Sequence, residues 1–175
     1  YEIIKNREIL EEQFDRIVRG MAYPYGTYSD EVVRVLRDCG ILYARTTRAT
    51  RDFSMPTEWL TLHPTCHHND PTLPELTKKF LETTIHSDQH PWMFYLWGHA
   101  YEFEQKDNWN VIEDFTDKMA GKDDIWYCTN MELYLAWRDY MALESSADGT
   151  MIYNPTVRSV WICDGKGNTY EIKPG

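Results

Sequence analysis

The chain has 175 residues, of which 42% are hydrophobic and 26% charged, a composition typical of one soluble globular domain and not of a disordered chain. Its formal net charge is -10 and it contains no basic run, which argues against nucleic acid and against anionic membrane surfaces as partners. No apolar run approaches the ~20 residues that a bilayer-spanning helix needs.

The four cysteines are widely spaced and form no C-x-x-C pair, so they predict neither a zinc knot nor a disulfide framework. Each lies in or beside an apolar run, and we expect four buried free thiols: Cys39, Cys66, Cys128 and Cys163. Free thiols and the lack of a visible signal peptide predict a cytoplasmic location, with the cell envelope as the alternative.

The first half of the chain alternates helix and strand patterns. Apolar residues recur at helical spacing from 2 to 18. Ser29 is a good N-cap for a second helix, and Gly40 would end it. Strands are predicted at 20–23, 41–45 and 59–63.

The second half continues this alternation and closes with a β tail. Helices are predicted at 73–85, 108–120 and 130–143. Strands are predicted at 92–97 and 125–128, and a hairpin pairs 160–163 with 170–172. Alternating strands and helices indicate parallel strands joined by right-handed crossovers. The expected fold is therefore α/β in one domain, 1–175, with the β tail at 150–175.

Polar and aromatic side chains follow five of the predicted strands. The segments are Tyr23–Gly26, Thr46–Thr47, His63–Asp70, Trp97–His99 and Thr129–Asn130. The carboxyl ends of parallel strands lie at one edge of a sheet or barrel, where ligands bind. We therefore expect these segments to line one site.

His99 follows the strand at 92–97, directly after Gly98. An imidazole fixed there is suited to general acid or base catalysis, because its ordinary pKa lies near neutrality. The alternative is a histidine that is hydrogen-bonded at a helix entrance. Glu102 stands three residues on and could orient the imidazole, or could bond a backbone N–H of the next turn.

The remaining histidines are weaker candidates for metal ligands. His63, His67 and His68 lie at a strand end or in a Pro-flanked loop without regular spacing, and for the two loop histidines solvent-facing side chains are the more ordinary interpretation. His86 and His90 are four residues apart, but Pro91 argues against a continuous helix there. His67, His68, His86 and His90 are kept only as alternative ligands.

The turn Tyr23-Pro24-Tyr25-Gly26 has a second use besides joining a strand to a helix. Pro24 fixes its own φ and Gly26 permits a tight turn. The backbone amide of Tyr25 could therefore be held rigidly as an oxyanion donor.

Three segments together resemble a known family: Ala22–Gly26, Tyr43–Thr47 and Leu96–Phe103. In order and spacing they are similar to the polysaccharide deacetylases of the NodB-homology type, carbohydrate esterase family four. The resemblance runs through most of the chain, including 154–156 and the β tail. It implies a distorted (β/α) barrel that hydrolyses N- or O-acetyl groups of a polysaccharide or oligosaccharide with a bound divalent metal such as zinc or cobalt.

The resemblance also implies roles for particular residues. His99 would be the general acid and the amide of Tyr25 would hold the oxyanion. Trp97 stands where the family motif usually has leucine and would form the wall for the acetyl methyl group. The expected substrate-binding residues are Tyr23, Pro24, Tyr25, Gly26, Trp97 and Glu102.

Two family motifs have no clear match. The Asp-Asp pair that supplies the base should follow the first strand, whereas Asp123-Asp124 precedes a predicted strand. His86-Ser87-Asp88-Gln89-His90 fits the second motif by letter, but it enters the strand that leads to His99. Because the chain also begins at Tyr1 and not at Met, we expect an incomplete, inactive barrel of about five parallel strands plus a C-terminal hairpin.

Two other functions remain open. One is a glycan-binding module without catalysis, which would stack sugars on Tyr23, Tyr25, Trp59 and Trp97. The other is a structural remnant whose open barrel edge would support a homodimer.

Overall fold

The computed structural model describes residues 1–83 and 91–175. In these residues six α-helices and short strands form a mixed α/β fold, as predicted. They divide into two compact units, 1–83 with 91–126, and 127–175. No helix in the described ranges is both long and apolar enough to cross a bilayer.

The first unit carries most of the helices. They are α1 (Glu2–Phe14), α2 (Asp30–Asp38), α3 (Leu73–Glu82), α4 (Ala100–Lys106) and α5 (Asn110–Met119). Its strands are β1 (Gly20–Ala22), β2 (Tyr43–Arg45), β3 (Cys66–His67) and β4 (Leu96–Trp97). Short 3-10 turns occur at Pro24–Gly26 and Trp59–Thr61. The second unit contains α6 (Asn130–Met141), β5 (Glu144–Ser145), β6 (Ile152–Tyr153), β7 (Val160–Cys163) and β8 (Thr169–Ile172).

The strands of the first unit pair in parallel, as the alternation of elements predicts. β1 pairs with β2 across α2, and β3 pairs with β4 across α3. Leu62 extends the series, since its N–H donates to the carbonyl of Ala44 and its carbonyl accepts from Thr46, both at 2.9 Å. The segment 62–67 is therefore bonded first to β2 and then to β4. The strands and this segment therefore pair with one another in the order in which they occur along the chain.

The expected barrel of about five strands is not seen in the described part of the chain, where every sheet has two strands. The segment 59–63 starts as a 3-10 turn, because the Glu58 carboxylate accepts from the N–H of Leu60 at 2.9 Å. The segment 125–128 forms no strand, and Trp126 and Tyr127 are more than half exposed. An apolar run becomes a strand only when neighbouring backbone is present to pair with it.

Local sequence signals set several helix ends correctly. Ser29 Oγ accepts from the N–H of Val32 at the start of α2, and Gly40 after the helix has φ +73°. Thr129 caps α6 through a reciprocal capping box with Glu132. The predicted helices do not include α4, although the alternative interpretation of His99 places that residue at a helix entrance.

Two small cores hold the first unit together. One contains Tyr23, Leu36, Ile41, Ala44 and Leu60. The other is built around Phe53, whose ring lies 4.9–5.6 Å from those of Phe80, Trp92 and Phe94. Cys66 lies in this second core, where burial raises the pKa of its thiol to about 12. The expectation of four buried thiols holds only for Cys66; Cys163 is exposed, and Cys39 and Cys128 are half-buried.

The second unit contains the predicted hairpin. β7 and β8 pair antiparallel from Val160↔Ile172 to Cys163↔Thr169. In the connecting turn the Asp164 carboxylate accepts from the N–H groups of Lys166 and Asn168, each at 2.9 Å. A short antiparallel pair, β5 with β6, precedes the hairpin; β6 lies within the predicted β tail, whereas β5 was not predicted.

Candidate functional site

The ends of the parallel strands in the first unit lie together, as predicted. A side chain at Gly26 would overlap that of Thr47, which shows how closely the first two strand ends approach. Thr46 Oγ1 lies 2.6 Å from Nδ1 of His63, and the Arg45 guanidinium lies 4.3 Å from the ring centre of Trp97. These contacts join four of the five predicted segments at one edge. The fifth, Thr129–Asn130, belongs to the second unit.

His99 lies at this edge, at the N-terminus of α4. Its Nδ1 is 2.8 Å from Oε1 of Glu102, and its side chain is 47% exposed. No hydrogen bond from the His99 side chain caps the helix. The imidazole is thus oriented by a carboxylate and open to solvent. Of the two interpretations open for Glu102, the structure shows the contact with His99.

Several other side chains also lie close to the Glu102 carboxylate. Its Oε2 accepts from Asn69 Nδ2 at 2.6 Å and lies 3.8 Å from Lys106 Nζ. Nε2 of His67 lies 3.4 Å from Oε1, and Nε2 of His68 lies 3.6 Å from Oε2. Burial opposes ionisation, but the His99 hydrogen bond and the nearby cationic groups keep the pKa of Glu102 below its ordinary value.

His68 is enclosed by its neighbours. Its ring lies 4.1 Å from that of Phe103, and a side chain at Gly98 would overlap the imidazole. His68 is 3% exposed, and its Nε2 has no hydrogen-bond partner in the described ranges. Burial, followed by the nearby His67, lowers the pKa of His68, so the ring is neutral near pH 7. The absence of a side chain at Gly98 therefore leaves the space that the His68 imidazole occupies.

His67 has a defined tautomer. Its Nδ1 accepts from the N–H of Asn69 at 3.1 Å, so the neutral ring carries its proton on Nε2, toward Glu102. Its ring packs edge-on against Trp97, with centres 4.5 Å apart. Burial is the largest influence on the pKa of His67 and lowers it.

His67, His68 and Glu102 form a group that could hold a metal ion, since one donor atom from each lies within 4.8 Å of the others. The sequence named both histidines only as alternative ligands and did not connect them with Glu102. That connection depends on the register of β3 with β4, which sets His67 beside Trp97. The other two alternatives, His86 and His90, lie outside the described residues.

The Tyr-Pro-Tyr-Gly turn presents its two tyrosines differently. Tyr25 is 99% exposed, with φ 56°. Tyr23 is 3% exposed and its hydroxyl donates to the carbonyl of Leu60 at 2.7 Å. Sugar stacking on Tyr23 is thus a wrong expectation for this conformation, because the ring is needed in the core. Trp97 is half-buried.

An open groove of about 390 Å³ has His68 and Asn69 among its lining residues. Its other walls come from α3 and α5, including Thr77, Asp114 and Lys118. The cluster around Glu102 therefore adjoins a space that a small ligand can enter.

No protein-family model, characterised protein or solved structure matches this chain. A functional assignment therefore depends on the motifs and on the geometry of the strand-end edge.

Proposed function

We propose that this chain is part of a polysaccharide deacetylase-like hydrolase that removes N- or O-acetyl groups from a glycan. The observation that carries the proposal is the pair His99–Glu102, with Nδ1 2.8 Å from Oε1 at the edge where the parallel strands end. An exposed imidazole oriented by a carboxylate is the arrangement that general acid catalysis requires. The family resemblance supplies the substrate class.

We also propose that the parallel alignments are an arc of a (β/α) barrel. β1, β2, the segment 62–67 and β4 align in chain order, and α2 and α3 are crossover helices. Neighbouring strands of a (β/α) barrel follow each other in the chain in the same way.

His99 would act through Nε2. Its Nδ1 faces Glu102, so Nε2 is the nitrogen left to give a proton to the leaving amine or alcohol of the sugar. Water adds to the acetyl carbonyl carbon, the C–N or C–O bond to the sugar then breaks to release acetate, and that proton neutralises the leaving nitrogen or oxygen. The ionised Glu102 stabilises the imidazolium before transfer and fixes the plane of the ring.

The turn at Tyr25 and the ring of Trp97 would serve the acyl group. The exposed turn presents Tyr25 at the same edge, consistent with an oxyanion donor. Trp97 adjoins both His67 and His99, with ring centres 4.5 and 5.7 Å away. An indole there would pack against the acetyl methyl group beside the proton donor.

The metal ion and the catalytic base that the resemblance implies would require residues other than His99 and Glu102. Asp123 and Asp124 lie in a turn and follow no strand, and His86 and His90 lie outside the described residues. The described residues therefore do not fit the family's metal-binding set. The proposed chemistry assigns no step to that metal.

The test is acetate release from N-acetylated chito-oligosaccharides and from acetylated xylan. It uses the full-length gene product that contains this chain, with Zn²⁺ or Co²⁺ added. We expect His99→Ala to lower kcat by about 10²- to 10⁴-fold with little change in KM. His63→Ala is the matched control, since His63 bonds Thr46 and not Glu102.

Two results would contradict the proposal: no acetate from either substrate, or release that His99→Ala leaves unchanged. Sugar binding without hydrolysis, unaffected by chelator and by His99→Ala, would favour a glycan-binding module. Tryptophan fluorescence of the chain titrated with the same oligosaccharides measures that binding.

A further inference from the structure

Three side chains beside the His99–Glu102 pair lie close enough to share one ion. We infer that Nε2 of His67, Nε2 of His68 and the carboxylate of Glu102 bind a single divalent transition-metal ion, with zinc the best match. One donor atom from each of the three residues lies within 4.8 Å of those of the other two. The site differs from the one that the resemblance implies, and it holds or fails independently of deacetylase activity.

The distances favour coordination over direct hydrogen bonding. The two nitrogen–oxygen separations are 3.4 Å for His67 and 3.6 Å for His68. A charge-assisted N–H···O contact is usually about 2.8 Å. Two ligands that are each about 2.0–2.1 Å from a tetrahedral zinc ion lie about 3.4 Å apart. The two separations are close to this value, and they end at different oxygens, Oε1 for His67 and Oε2 for His68, so the carboxylate would present both oxygens to the ion.

The second observation is the unpartnered nitrogen of His68. The residue is 3% exposed, and its Nε2 has no hydrogen-bond partner among the described residues. Phe103 and Gly98 fix the ring, so the nitrogen cannot turn to solvent without displacing them. Buried polar atoms without partners are uncommon in folded proteins and need an explanation. A metal ion would provide one.

The donor set favours a borderline-soft ion. Two imidazole nitrogens and one carboxylate suit zinc, cobalt or nickel, whereas calcium and magnesium prefer all-oxygen sites. Two histidines and one glutamate are also the protein ligands of several catalytic zinc sites, in which the fourth position holds water. Of the three residues, His68 lines the adjoining groove, although its Nε2 is buried.

Three neighbouring groups bear on the affinity. Lys106 Nζ lies 3.8 Å from Glu102 Oε2 and opposes a cation. His99 and Asn69 contact the two oxygens of the same carboxylate and hold it in place. Coordination by His67 requires its proton on Nδ1, so the N–H of Asn69 must give up that acceptor. One hydrogen bond is a small loss beside three metal–ligand bonds.

The test is titration of the EDTA-treated chain with ZnCl₂ by isothermal calorimetry, and with CoCl₂ by visible absorption. We expect one ion per chain, and a Co²⁺ spectrum of four- or five-coordinate type. Glu102→Gln and His67→Gln should each weaken zinc binding at least about tenfold. Lys106→Gln should bind as tightly as the wild type or more tightly.

Controls separate this site from adventitious binding. His63→Ala should bind zinc like the wild type, because His63 bonds Thr46. A double His86→Ala, His90→Ala variant should also keep the Co²⁺ spectrum. Circular dichroism verifies that each variant is folded. Absence of stoichiometric binding, or a spectrum that follows His86 and His90 and ignores Glu102, would overturn the inference.

Discussion

Nδ1 of His99 and Oε1 of Glu102 lie 2.8 Å apart across the first turn of α4. Residues three apart share a face of a helix, so the start of α4 at Ala100 brings the two side chains together. His99 is itself outside the helix and exposed, whereas the Glu102 side chain is 17% exposed. The fixed, largely buried carboxylate therefore determines the orientation of the exposed imidazole.

Replacing this carboxylate by an amide tests its positioning role. Glu102→Gln keeps the shape and removes the charge that stabilises the His99 imidazolium. For the proposed hydrolysis we expect kcat to fall by about 10- to 100-fold with KM nearly unchanged. Steady-state acetate release by the full-length gene product measures both constants.

Glu104→Gln is the matched control in the same helix, since the Glu104 carboxylate accepts from Trp109 Nε1 at 3.3 Å. It should leave kcat unchanged. Equal losses of kcat in Glu102→Gln and Glu104→Gln would show that any glutamate-to-glutamine substitution in α4 lowers activity. The His99–Glu102 contact would then have no special role.

Gly98→Ala tests the packing of His68 against the backbone. A Cβ at Gly98 would overlap the His68 imidazole, which Phe103 holds from another direction. We expect a loss of about 1–3 kcal/mol in the free energy of unfolding. Urea denaturation measures it. Gly165→Ala is the control, because nothing lies within 4 Å of a Cβ there. An unchanged Gly98→Ala stability would contradict the enclosure of His68.

Tyr23→Phe tests the buried hydroxyl of the first core. The variant leaves the carbonyl of Leu60 without its donor at 2.7 Å, so we expect a loss of about 0.5–1.5 kcal/mol near neutral pH. Urea denaturation at pH 7 measures it. A variant as stable as the wild type would show that the hydrogen bond contributes nothing.

The same hydroxyl predicts alkaline sensitivity. Burial raises the pKa of Tyr23 from 10.0 to about 12, so the protonated form is favoured in the folded state. That difference corresponds to roughly 2–3 kcal/mol by which folding disfavours the ionised phenolate, so stability is unaffected below pH 10 and falls as pH rises toward 12. The advantage of the wild type over Tyr23→Phe should shrink above pH 10. A constant difference from pH 8 to pH 11.5 would contradict this.

Asp139→Asn tests the charge cluster of the second unit. The Asp139 side chain is 3% exposed, and its carboxylate accepts from Arg138 and from Arg158, the latter at 2.7 Å. Both arginines are about half exposed, so we expect a loss of about 2 kcal/mol, below that for a fully buried pair. Urea denaturation at pH 7 measures it, with exposed Glu171→Gln as the control.

The pH dependence of this cluster results from the same contacts. Burial of Asp139 opposes ionisation, but the hydrogen bonds from Arg138 and Arg158 prevail and lower its pKa below 3.8. The stabilisation is therefore present above about pH 4 and is lost as pH falls through the folded-state pKa. The difference between wild type and Asp139→Asn should be smaller at pH 3 than at pH 7. An equal difference at both values would contradict the ion-pair account.

Some features of the fold are determined by local sequence alone. Ser29 and Gly40 bound α2, and the Asp164–Asn168 turn closes the β7–β8 hairpin. Each depends on hydrogen bonds or on a φ value within a few residues, which short-range patterns encode. The segments 59–63 and 125–128 were predicted wrongly, because strand formation depends on a partner that local sequence does not specify.

The residues of the candidate site also form two groups: those close in the sequence, and those that only strand pairing brings together. His99 and Glu102 are three residues apart, and their contact was one of the two interpretations that the sequence left open. His67 and His68 lie more than thirty residues before Glu102, and only the parallel register of β3 with β4 brings their nitrogens to its carboxylate. The space that Gly98 leaves for His68 likewise exists only after those strands align. Helix caps and near neighbours are fixed by local backbone geometry, whereas the three-residue cluster depends on pairing between distant strands.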